Sequence, residues 1–254
     1  MNRARPALQI QPIQTRIFRA GEDLAAFTDE HLPDTEALEG AILAVTSKIV
    51  SLAENRLVPK GTISKKNLIE REAEVNLGEI GYGSILTIKE GHFIASAGID
   101  ESNSEDGHFI LYPEDPFASA RQLGLHLRRR LTSSQTGVLL TDSRTTPLRL
   151  GVTGISLAHW GFRGLLNKVG EKDLFGSPLQ MTKVNVADSL GAAATLLMGE
   201  ADESQPLALI RWPSGIEFTE ESDRQELRSR LEEDLYYPFF KPHIESSRSK
   251  SKPE

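Results

Sequence analysis

The stretch AILAVTSKIVSLAENRLV, residues 41–58, carries both kinds of regular structure. It reads as a strand, a tight turn at Thr46–Ser47, a short helix and a second strand. The neighbouring segments keep this mixture. LQIQPIQTRIF, residues 8–18, alternates apolar and polar residues like a strand, and GEDLAAFTDEHL, residues 21–32, reads as a short helix. Asp34 is a candidate cap for the next element of the chain. The chain therefore reads as α+β, a mixed α/β architecture.

Downstream, KKNLIEREAEVNLG (65–78) predicts a charged helix ending at Gly78. SILTIKEGHFIASAGI (84–99) predicts two strands around a hairpin turn at Glu90–Gly91. In DPFASARQLGLHLRRRLTSS (115–134), Leu123, Leu127 and Leu131 recur every fourth residue, as on an amphipathic helix. Its arginines, Arg128 to Arg130, read as a solvated helix end that suits the C-terminal dipole. TGVLLTDS (136–143) is an apolar strand ending on Asp142, and GVTGISLAHWGF (151–162) is strand-like. LQMTKVNVADSLGAAATLLMGEADE (179–203) predicts a strand, then a helix capped by Asp188 that stops at Gly199. PLALIRW (206–212) is a final buried strand, and RQELRSRLEEDLYY (224–237) predicts a last helix. The tail IESSRSKSKPE is polar and of low complexity, which predicts disorder over 244–254 and one domain over 1–243.

Composition bounds the function. The chain has 254 residues, 39% apolar, enough for a sizeable core. A net charge of −7 argues against a nucleic-acid partner. The absence of cysteine removes disulfides, thiolate metal sites and cysteine nucleophiles, and fits the cytoplasm. With no run of 18 apolar residues and no signal-peptide core, no membrane partner is expected.

Three acids share one context. Asp100 follows the apolar run IASAGI, Asp142 follows VLLT, and Glu200 follows a small-residue helix. Strand ends line clefts in α/β proteins, and carboxylates converging there suit magnesium with substrate phosphates. Ser143 offers a hydroxyl ligand beside Asp142. Each acid alone reads first as a solvated loop residue, as does the cluster Glu101–Asp106; the three together carry that reading less well. Neither a Walker loop nor a G-x-G-x-x-G fingerprint occurs, and GISLA around Ser156 lacks the second glycine of a nucleophile elbow.

AVTSKIVSLAENRL (44–57), ASAGIDESN (95–103), LLTDSRTTPLRLGVTGISLAHWG (139–161), GEKDLFGSPL (170–179) and VNVADSLGAAATLLMGEADE (184–203) together resemble the coenzyme F420-0:L-glutamate ligase family. The resemblance implies a ligase-like fold forming an intertwined homodimer, and GTP- and metal-dependent addition of L-glutamate to a deazaflavin acceptor, F420-0. It implies Asp100, Asp142, Ser143 and Glu200 as ligands for one or two Mg2+ or Mn2+ ions, with K+ a further candidate and Asp100 and Asp142 catalytic. Ser47, Lys48, Asn103, Arg149, Met198, Gly199, Ala201 and Asp202 match nucleotide-binding positions. The sequence departs from the family pattern at Leu52 and Asn55, where a lysine and a glycine are usual, and at Thr146, where an arginine is usual. Two alternatives stay open: the same chemistry on a folate or pterin acceptor, and an inactive nucleotide-binding relative.

Overall fold

The computed structural model describes residues 7–32, 38–102, 104, 107–131, 133, 135–220 and 222–250. Its centre is a five-stranded sheet of β1 (Gln9–Ile13), β2 (Ala41–Thr46), β8 (Thr136–Thr145), β9 (Val152–Trp160) and β12 (Leu207–Arg211), in the order β1-β12-β2-β8-β9. β2 and β8 run parallel and every other pair is antiparallel. Both faces are buried, so the inner strands are continuous apolar runs rather than alternating ones. Leu43, Val45, Val138 and Leu140 point to one face with α1 (Leu24–His31), α2 (Ser47–Ala53) and α4 (Pro116–Leu131). Ile42, Ala44, Leu139, Ala208 and Ile210 point to the other, under α5 (Val186–Met198). The sequence SLGAAA in α5 now has a reason: a Cβ on Gly191 would come within 2.8 Å of the Ile155 backbone, so only a bare backbone lets helix and strand approach this closely.

A second layer holds β4 (Val75–Glu79), β5 (Ile85–Lys89) and β6 (His92–Ala95) in an antiparallel sheet, with α3 (Lys65–Glu72) and α6 (Tyr237–Lys250) beside it. β3 (Leu57–Pro59) pairs with β7 (His108–Ile110), and β10 (Leu165–Asn167) with β11 (Lys183–Asn185). The expected hairpin is present, with Glu90 and Gly91 both at positive φ, 50° and 75°. Among the described residues no helix is long and apolar enough to cross a membrane.

Several expectations change. The helix expected over 65–78 stops at Glu72, because Val75 pairs with Ile88 and Leu77 is buried in the second sheet. The helix over 186–198 is capped by Asn185, whose side chain accepts from the Asp188 N–H, while Asp188 reaches across to the Ser156 N–H at 2.9 Å. Residues 224–236 form turns and irregular chain with one 3-10 turn at Leu231–Glu233. The last helix, α6, begins at Tyr237 and crosses residue 243, and Ile244 is 2% exposed against Leu77 and Ile88. Arg128 is no solvated helix end: it donates to the carbonyls of Thr136, Gly161 and Thr219 and stacks on Trp160. The capping expectation for Asp34 lies outside the described residues.

Candidate active site

The cleft follows from one mismatch in strand length. β2 ends at Thr46, paired with Thr141, and the chain turns straight into α2. β8 runs four residues further, to Thr145, with only β9 alongside. Asp142 is therefore within the strand and not at its end. A bulge between Leu140 and Thr141 shifts the register against β9 just before the acid, as bulges beside functional sites do. In the space left by β2 lies a cleft of about 820 Å3, beyond the carboxyl ends of two parallel strands.

Asp142 and Arg144 share a face by strand alternation, and Ser143 takes the other. Asp142 accepts a short hydrogen bond from the Tyr112 hydroxyl. Tyr112 itself fits only because residue 98 is glycine: a Cβ there would meet its ring at 2.3 Å. The run IASAGI does not stay extended to Asp100. It leaves β6 at Ala95, and Ser96, Ala97 and Gly98 follow at φ 55°, 55° and 70°. Three successive left-handed residues cost conformational energy, and such strain clusters at functional sites. The turn is held by the Thr87 hydroxyl, which donates to the Ile94 carbonyl and accepts from the Ala97 N–H. It delivers Asp100 to the cleft, where a single bridge to Ile110 fixes its backbone.

Asp100 accepts from the Ser102 N–H and hydroxyl at 2.7 and 2.8 Å and pairs with Lys48 at 2.7 Å. Burial raises its proton affinity, but Lys48 and Ser102 outweigh burial and hold the carboxyl below its usual range. Asp142 behaves oppositely. Burial pushes it up to about 6, against Tyr112 and the Ser143 N–H, and the Asp100 and Glu200 charges push the same way. Glu200 is also raised, by burial first, despite the Ser143 hydroxyl and Lys48. Burial and the Asp142 charge carry Tyr112 well above the usual phenol range. The three acids thus act on one another electrostatically across one cleft. Among the described residues no three His, Cys, Asp or Glu are close enough to grip a metal ion as they stand.

The other expected residues divide. Ser47, Lys48, Met198, Gly199, Ala201 and Asp202 line the cleft with Ser143 and Glu200. Arg149 is exposed and does not line it, and neither does Thr146; Leu52 does, while packing on the main core. Asn103 lies outside the described residues, as do Glu105 and Asp106. Glu101 points away and pairs with Lys60 at 3.0 Å and Lys65 at 2.5 Å, so it is the solvated loop residue of the alternative reading. Ser156 is buried in mid-strand, which removes it as a nucleophile. Tyr112 escaped the sequence reading because one tyrosine after a short strand carries no pattern.

The sequence matches the model of the F420-0:Gamma-glutamyl ligase family over residues 12–211. A coenzyme F420:L-glutamate ligase of Methanopyrus kandleri is 38% identical over 224 residues, covering 81% of this chain and 87% of the relative. That of Methanothermobacter thermautotrophicus is 34% identical over 211 residues, 76% of this chain and 83% of the relative. One from Methanococcus maripaludis is 30% identical over 254 residues, 93% of this chain and 100% of the relative. With the family model running from within β1 to the end of β12 and these relatives 30–38% identical over most of the chain, the chain belongs to the F420-0:gamma-glutamyl ligase family.

Proposed function

We propose that the protein joins L-glutamate through its amine to a carboxylate of coenzyme F420-0 as an amide, with GTP as phosphoryl donor and one or two Mg2+ or Mn2+ ions. One observation carries the reading: Asp100, Asp142 and Glu200 face one cleft, where the Asp100 charge raises the other two acids and Lys48 is paired with Asp100. The three carboxylates and the Ser143 hydroxyl are hard oxygen donors on one cleft wall; they do not close on an ion as they stand, and substrate phosphates would complete the shell of a divalent cation. Asp100, Asp142, Ser143 and Glu200 would hold the ions; when bound, these neutralise the phosphate oxygens. K+ is a further candidate for the same oxygens.

A carboxylate does not condense with an amine unaided, so activation comes first. A carboxylate oxygen of the acceptor takes the γ-phosphoryl group of GTP, giving an acyl phosphate and GDP. The glutamate amine attacks the acyl carbon, and phosphate leaves as the amide forms. Lys48 exchanges Asp100 for phosphate oxygens, and Tyr112 keeps the Asp142 carboxylate oriented. Ser47 and the segment Met198–Asp202 border the nucleotide's side of the cleft.

Leu52, apolar on the cleft wall where the family pattern has lysine, favours a second acceptor reading, a folate or pterin. One assay separates the readings: F420-0 and tetrahydrofolate are each incubated with L-glutamate, GTP and Mg2+, and products are weighed by mass spectrometry. F420-0 should gain one glutamyl residue. Gain on tetrahydrofolate alone overturns the acceptor; GTP binding without either product identifies an inactive relative. We also propose a homodimer, supported by apolar side chains left bare at the tip of the β10–β11 hairpin, Leu174 and Phe175 at 98% and 94% exposure.

A further inference from the structure

Three cations stand on the cleft wall among the described residues: Arg16, Lys48 and Arg144. Arg16 is paired with Glu22 and Glu30, and Lys48 with Asp100. Arg144 has no such partner. Its Nε is buried and, among the described residues, donates to no acceptor. The carboxylate nearest in sequence on its own face, Asp142, forms no ion pair with it and accepts from the Tyr112 hydroxyl instead. Its charge acts on Tyr112 and His92. A guanidinium with a buried, unused N–H on the wall of a cleft lacks its anion.

The two available cations also sit on different groups. Lys48 acts on Asp100 and Glu200, the side bordered by Ser47 and Met198–Asp202. Arg144 acts on Tyr112 and His92, beyond Asp142. We infer that Arg144 binds a substrate carboxylate, while phosphate belongs to Lys48. A planar, permanently charged fork matches a carboxylate through two parallel hydrogen bonds. Two sources share this chemistry, the α- or γ-carboxylate of glutamate and a carboxylate of the acceptor. The inference rests on the ligase reading above, because only that reading brings both molecules to this cleft.

The test compares wild type with Arg144→Gln and Arg144→Lys by isothermal titration against L-glutamate, glutarate and inorganic tripolyphosphate. Turnover on F420-0 is followed in parallel, and circular dichroism confirms that each variant is folded. Arg144→Gln should weaken a carboxylate by about tenfold or more, as loss of a charged hydrogen bond does. Arg144→Lys should recover part of it, and tripolyphosphate affinity should move less than about twofold. A raised KM for glutamate alone names glutamate as the source; a raised KM for F420-0 alone names the acceptor. The inference is overturned if tripolyphosphate affinity falls instead, if no affinity or KM changes, or if wild type binds no carboxylate while turning over. Absence of turnover in wild type sinks the ligase reading, and the titrations against glutarate and tripolyphosphate then decide the anion preference of Arg144 on their own.

Discussion

At the scale of residues, Asp142 makes the site costly in the free protein. Its carboxyl is raised to about 6 in the fold against about 3.9 in an unfolded chain. A raised carboxyl favours folding below the unfolded value, and that contribution is lost as pH rises through about 6. The penalty above that window is at most about 3 kcal/mol. Asp142→Asn keeps an acceptor for Tyr112 and removes the charge. Calorimetry should show the variant melting higher than wild type at pH 8, with the gap closing below pH 4, while turnover is abolished. A gap independent of pH would mean that Asp142 is not the strained acid. Leu52 invites the opposite change. Leu52→Lys gives up part of its packing on the core but adds a charge to the cleft wall, which should tighten GTP binding by about fivefold, the scale of one half-screened contact. Unchanged GTP affinity would place residue 52 away from phosphate.

At the scale of elements, α6 is the piece that a sequence reading loses most easily. IESSRSK looks like a solvated tail, and Pro242 lies inside the helix. Ile244 nevertheless sits against Leu77 and Ile88, strand residues more than 150 positions earlier. Ile244→Ala should cost roughly 2–5 kcal/mol. Hydrogen exchange should then quicken over 75–95 and leave β8 protected; uniform quickening would mean that the two sheets unfold as one. Where local pattern and local partner coincide, reading succeeded: the Glu90–Gly91 hairpin, α4 with its leucines, and the strand and helix at 41–53 each follow from neighbours in sequence. It failed where distant pairing decides. Val75 continues a charged helical pattern until Ile88 claims it as a strand, and Asp142 looks terminal until β9 carries β8 past it. The site shows the same division. The acids were legible because carboxylates after apolar runs are conspicuous. Tyr112 was not, since only the fold shows that it is held by Asp142.

At the scale of the whole molecule, Leu174, Phe175, Leu148 and Leu150 are each more than 90% exposed, more bare apolar surface than isolated surface residues explain. Light scattering should give twice the 28.0 kDa chain mass, and Phe175→Asp should bring it toward one. A single-chain mass for wild type at micromolar concentration would refute the dimer. The order of strands in the central sheet has a further effect. β12 lies between β1 and β2, joining Gln9 to Arg211 on one edge and Ala41 to Arg211 on the other. β1 therefore has no partner in this sheet until β12, the last of its five strands in chain order, has been made. A nascent chain stalled at Glu200 should be cut readily by protease, and resistance should appear only once Arg211 has cleared the exit tunnel. Synthesis of this protein leaves β1 and one edge of the apolar β2 waiting for β12, and its yield in a cell should depend on chaperones that bind extended chains.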